Sequence, residues 1–210
     1  MAAEHETFQE DMSKLRIRLV LEARRRKARV IALLGLTTGA GVTTLAVSLA
    51  CETASQGEPV VLVDANVSAP AVHRRLGIEL KPGVAEASDV GADLKPSLRE
   101  LYGGRLRALP GGEWRHHSTA LSPERWAGLF DLLREHDGIV LVDAGAKSGL
   151  NADGIVSASD GVVCVVEAGG SRWEQVAALS QHLDELKSPL LGVAVNKRRF
   201  PIPEFVYRHL

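Results

Sequence analysis

Five short runs dense in valine, leucine and isoleucine constrain this chain more than any other feature. They are RVIALLG (29–35), PVVLVDA (59–65), GIVLVDAG (138–145), GVVCVVEA (161–168) and PLLGVAVN (189–196). None alternates apolar with polar residues, so none suits a strand with one wet face. Continuous apolar runs of this length read as strands buried on both faces. Between them lie VTTLAVSLACETASQ, SPERWAGLFDLLREH and SRWEQVAALSQHLDELK, whose apolar residues recur at helical spacing. Ser122 and Ser171 suit N-cap positions, and Pro123 suits the first helical position after Ser122. Buried strands alternating with helices predict one α/β domain, a mostly parallel sheet with helices on both faces. RLRALPG (105–111) reads as a weaker sixth strand, and the Gly- and Pro-rich region 77–121 as short helices and loops.

Ahead of this domain, which the pattern places at 28–210, residues 1–27 read as a separate helical arm. Leu15, Leu19 and Val20 are spaced for one face of a helix, and residues 14–27 hold seven Lys or Arg against one Glu. A solvated helix explains that charge. A docking arm, or a basic face near anionic lipid, explains it as well.

Composition narrows the function classes. With 45% hydrophobic and 24% charged residues the chain is an ordinary globular one, and a net charge of −1 argues against nucleic-acid binding by electrostatics. The start MAAEHETFQED has neither the basic nor the apolar segment of a secretory signal, and no run is long enough to span a bilayer. Cys51 and Cys164 sit in apolar stretches and read as reduced packing residues. His116 and His117 lack the neighbours of a metal site.

Chemistry gathers at three strand ends. The first strand runs into GLTTGAGVTT, while the strands at 59–65 and 138–145 end near Asp64 and Asp143. In open parallel sheets ligands sit beyond the carboxyl ends of the strands. A glycine-rich turn into a helix presents N–H groups to phosphate, and an aspartate closing a neighbouring strand holds Mg²⁺ directly or through water. A plain turn would also use Gly39 and Gly41, and aspartates often end strands. It is the three features in this order that point to nucleotide-binding ancestry.

On these residues the chain resembles the deviant Walker A P-loop ATPases that include MinD and ParA. Within them it is most similar to the bacterial tyrosine kinases (BY-kinases, of the CpsD and Wzc kind) that work with polysaccharide co-polymerases. TTGAGVTT (37–44) aligns with the P-loop without gaps, and VVLVDANVSAPAVHRRLGIELKPGVAEA resembles the kinase Walker A′ stretch. LRALPGG resembles the kinase Leu-Pro-Ala-Gly segment, HDGIVLVDAG the Walker B strand, and 158–199 the closing strand–helix–strand unit. The resemblance implies a P-loop NTPase fold with Gly39, Ala40, Gly41, Val42, Thr43 and Thr44 as the phosphate loop. It places Asn196 where related ATPases contact adenine. Thr43, Asp64 and Asp143 would hold Mg²⁺ if any is bound. It also assigns Glu10, Ser13 and Arg16 to the kinases' ring-assembly motif.

The departures decide the expected function. The Walker lysine is Val42 and the MinD-type signature lysine is Thr37, with no Lys or Arg anywhere from Val30 to Val72. Asn66 replaces the second acid of Walker A′, Ser13 replaces the middle ring residue, and Tyr207 stands alone where active kinases carry a tyrosine cluster. Phosphoryl transfer depends on positioned cations, so losing one costs roughly 10²–10³ in rate. The expectation is a degenerate kinase-like protein (a pseudokinase) that needs no cofactor and leaves Asp64 and Asp143 as vestiges. It would assist surface polysaccharide synthesis or export by binding an inner-membrane co-polymerase. It would be cytoplasmic, peripheral to the membrane through that partner, capable of homo-oligomers and without nucleic acid. The alternatives are an ATP- and Mg²⁺-dependent kinase or ATPase using a displaced cation (Lys147, Arg172 or Lys197), and a MinD/ParA-like positioning protein.

Overall fold

The computed structural model describes residues 2–88, 93–114, 121–149, 151–170 and 172–197, with side chains from residue 7 onwards. Helix α1 (Ala2–Arg26) leads into β1 (Val30–Gly35), the loop 36–41 and α2 (Val42–Ser55). Then follow β2 (Val60–Asp64), α3 (Val72–Leu76), α4 (Val84–Ala87), β3 (Arg99–Leu101) and β4 (Leu106–Leu109). The chain continues with α5 (Pro123–Arg134), β5 (Ile139–Ala146), α6 (Ala152–Ala158), β6 (Gly161–Glu167), α7 (Trp173–Glu185) and β7 (Leu190–Asn196).

The seven strands form one sheet in the order β3-β4-β2-β5-β1-β6-β7. All neighbours are parallel except β3, which runs antiparallel to β4 at the edge. Successive side chains of a strand point to opposite faces, and here both faces are apolar. Val30, Ala32 and Leu34 pack with Val140, Val142, Trp126, Phe130 and Leu179, under α5, α6 and α7. Ile31 and Leu33 pack with Leu62, Leu141, Leu45 and Leu49, under α1 and α2. The expected fold, a parallel sheet between two helical layers, is the observed one.

Several boundaries have local causes. Ser122 accepts a hydrogen bond from the Arg125 amide at 3.4 Å and caps α5, with Pro123 at its first position. Ser171 lies outside the described residues; the N-cap of α7 is Arg172, whose amide donates to the Gln175 side chain at 3.1 Å. Leu19 and Ala23 of α1 are buried in the same cluster as α2, and Leu15 packs against it, so the arm's inner face is continuous with the core.

Three features differ from the expectations. The last strand, read as buried on both faces, is the far edge of the sheet, and Val193 and Val195 are 43% and 61% exposed. A terminal strand has one neighbour to cover it, which composition does not reveal. Strand β3 is three residues with two charges, and α6 is two turns containing Asp153 and Gly154, both too short to show a period. Cys164 is buried as expected but Cys51 is only half-buried, and both are free thiols. His116 and His117 lie outside the described residues.

Candidate functional site at the carboxyl ends of the strands

The loop after β1 keeps a phosphate-loop shape. Gly39 and Gly41 have φ of 82° and 90°, left-handed values that strain any side chain. Gly41 is the N-cap of α2, and a Cβ there would stand 2.3 Å from Asn196 Nδ2. Asn196, at the end of β7, donates from Nδ2 to the Ala40 carbonyl at 2.9 Å, tying the last strand to the loop. Ala40 is itself buried, and its amide is held by the Thr37 carbonyl at 3.3 Å.

Val42 opens α2 as a buried residue. It is 6% exposed and belongs to the apolar cluster with Ala40, Leu45 and Ala46. One of its methyl groups would come within 2.8 Å of a Cβ placed on Gly35. It packs between the end of β1 and Ala40 of the loop, where burying an aliphatic side chain is favourable. The lysine position of the loop is thus filled by a buried valine.

Beside the loop stand the two aspartates. Asp64 closes β2 and Asp143 lies in β5, and they are direct partners in the parallel register. Both are fully buried. Asp64 Oδ2 accepts from the amides of Ala71 and Val72, each at 2.9 Å, and Asp143 Oδ1 accepts from the Gly145 amide at 3.1 Å. Asp64 Oδ1 and Asp143 Oδ2 have no hydrogen-bond partner. Burial, then the charge of Asp143, pushes the Asp64 carboxyl up to about 7, although three backbone amides oppose it. Burial raises Asp143 as well, against the Thr43 hydroxyl, the Gly145 amide and the positive charge of Arg75. Two buried like charges on adjacent strands favour a shared proton or a bound cation. Asn66, in place of a further acid, lies against Gly145, where an added Cβ would meet its side-chain oxygen at 2.9 Å.

Two bare carboxylate oxygens beside a hydroxyl fit a Mg²⁺ ion that arrives with phosphates, which takes one or two carboxylates from the protein. They do not form a self-sufficient cage, and among the described residues no three His, Cys, Asp or Glu could hold a metal. The loop is a poorer fit for the phosphates themselves. Lys197 Nζ pairs with Glu167 at 3.4 Å, and Arg172 sits at the start of α7. Lys147 is anchored beside the loop through its amide, which donates to the Gly35 carbonyl at 2.8 Å. The positive charge of Arg75, exposed on α3, weakly favours the charged form of Asp143. Sequence reasoning missed it, because residues 75 and 143 belong to distant segments that only the fold relates.

The three residues assigned to ring assembly are spread over α1. Ser13 donates to Glu52 of α2 at 2.5 Å and Arg16 pairs with Glu58 at 3.2 Å, both within the chain, while Glu10 pairs with Lys14 at 2.7 Å.

Comparison with known proteins bears on this arrangement. Residues 28–184 match the family model described as cellulose biosynthesis protein BcsQ. The chain belongs to the BcsQ family. That match runs from β1 through α7 and includes the loop and both aspartates. The BcsQ-family chain is also similar to the tyrosine-protein kinase YwqD of Bacillus subtilis, 23% identical over 176 residues, covering 83% of this chain and 74% of the kinase. Among solved structures, the kinase domain of VpsO superposes with a TM-score of 0.77 at 20% identity, covering 95% of this chain and all of that one. The cell division ATPase MinD of Pyrococcus furiosus gives 0.72 at 19% identity, covering 87% and 78%. The fold is that of the BY-kinase and MinD P-loop NTPases. The family match places the chain among proteins of polysaccharide biosynthesis.

Proposed function

We propose that this BcsQ-family chain is a catalytically degenerate relative of the BY-kinases that assists synthesis or export of a surface polysaccharide. Cellulose is the polymer the family's description names. It acts by binding, at the cytoplasmic side of an inner-membrane polysaccharide co-polymerase. The observation that carries this reading is the loop. Its left-handed glycines and its Asn196 tether are intact, yet its lysine position is Val42, turned into the core. A cradle of that kind keeps the strand-to-helix turn and forgoes the charge-assisted contact of roughly 1.5–3 kcal/mol that a phosphate-binding lysine supplies.

Isothermal titration of the full chain with ATP and Mg²⁺ tests the reading. The expected result is no binding in the micromolar range and no turnover, with measurable ATP binding gained in Val42→Lys. Micromolar binding with turnover by the natural sequence overturns it.

A second reading, an active kinase or ATPase with a relocated cation, is favoured by the electrostatic reach of Arg75 to Asp143. It requires ATP-dependent phosphotyrosine or phosphate release that Arg75→Ala and Asp64→Ala both abolish.

A further inference from the structure

Helix α1 has a second face that the core does not use. Leu19 and Ala23 point inward, whereas Ile17 and Leu21, one turn apart on the opposite side, are 48% and 60% exposed. Around them the exposed side chains are Lys14, Arg18, Arg24 and Arg25. Glu10 pairs with Lys14, and Glu22 pairs with Arg25 and Arg26. Arg18, Arg24 and Lys27 have no ion pair among the described residues. The solvent face of this helix is thus an apolar pair ringed by cations, of which Arg18 and Arg24 have no ion pair among the described residues, with Lys27 just past the helix end.

A cavity of about 500 Å³ adjoins the same helix at its C-terminal end. Its apolar lining comes from Val20 and Ala23 of α1 together with Pro59 and Ile139, and Arg24 and Lys27 are among its charged walls. The acid in its wall, Glu58, is taken by Arg16, and Arg29 is engaged by the carbonyls of His136 and Gly138. The cavity lies at the amino ends of β1, β2 and β5, opposite the loop and the aspartates. Ligand chemistry in open α/β sheets belongs to the carboxyl ends, so a surface here suits attachment.

We propose that the outer face of α1 and the cavity at its foot dock directly on an anionic phospholipid bilayer. Ile17 and Leu21 enter the interfacial layer, while Arg18, Arg24 and Lys27 meet lipid phosphates. Long basic side chains reach past an apolar body to the headgroups, and isolated aliphatic side chains ringed by cations match a fluid interface without a shaped partner. No helix among the described residues is long and apolar enough to cross a membrane, so the contact lies on the surface. It is independent of nucleotide, and it leaves the loop and aspartates facing away from the lipid.

The test is co-sedimentation of the full chain, without nucleotide, with vesicles of phosphatidylcholine alone and with roughly one-third phosphatidylglycerol. Binding to the anionic vesicles is expected, weakening as salt is raised. Leu21→Glu and the double variant Arg24→Glu/Lys27→Glu each lower the partition about tenfold or more. Arg125→Glu at an exposed position of α5, a change of two charge units against one in Leu21→Glu and four in the double variant, leaves it nearly unchanged. All replaced side chains are exposed, and an unaltered melting curve confirms that each variant is folded. Equal binding to both vesicle types, no binding at low salt, or an equal loss in Arg125→Glu overturns the proposal. So does binding that appears only with ATP and Mg²⁺. It also falls if Leu21→Glu abolishes binding to a co-polymerase's cytoplasmic segment while vesicle binding persists.

Discussion

Asp64 sets the first prediction. Its carboxyl stands at about 7 in the folded chain against an ordinary value near 3.8, because burial and Asp143 disfavour its charge. The folded state therefore holds a proton that the unfolded state releases between those values. The stability tied to that proton is complete below about pH 4 and is lost as pH rises through about 7, on the order of 4 kcal/mol at most. Thermal melts across that range should show a falling midpoint, and Asp64→Asn, which keeps an acceptor for the Ala71 and Val72 amides, should flatten it. Val42 makes the second. Replacing it with lysine removes an apolar side chain packed toward Gly35 and should cost about 1–3 kcal/mol in urea unfolding while ATP affinity rises. Both residues were legible as candidates in the sequence. The direction of the Val42 side chain and the orphaned carboxylate oxygens were not, since each depends on which neighbour the strand register supplies.

Among elements, α1 is the informative one. Its apolar spacing announced a helix with Leu15, Leu19 and Val20 on one side, and that side is where the core lies. Truncating Leu19 to alanine should therefore behave as a core change, about 2–4 kcal/mol in chemical denaturation. Ser122→Ala at the cap of α5 should cost only about 1 kcal/mol. A freely solvated arm would make Leu19→Ala nearly silent. Elements long enough to show a period were readable: α2, α5, α7 and the five main strands. Strand β3 and helix α6 were not, because three and seven residues hold too few apolar positions to repeat.

For the whole molecule, the proposed degenerate loop predicts no nucleotide-driven change of assembly. Sedimentation velocity of the full chain should give the same distribution with and without ATP and Mg²⁺. A shift to a larger species on adding ATP would instead support a MinD-like cycle on the fold that the two share. The intrachain bonds of Ser13 to Glu52 and Arg16 to Glu58 agree with this, since both residues already serve to seat α1 on its own domain.

Four of the five unbroken apolar runs are satisfied by a sheet covered on both sides, so fold class was carried in the order of residues. The same holds for the position of the loop at a strand end and for the absence of a basic residue within it, because these are facts of composition and spacing. Which strand lies at the edge, how Asp64 and Asp143 come side by side, and the approach of Arg75 are contacts between distant segments. Hydrophobicity is local information, whereas the environment of a charge is set by whatever the folded chain packs around it.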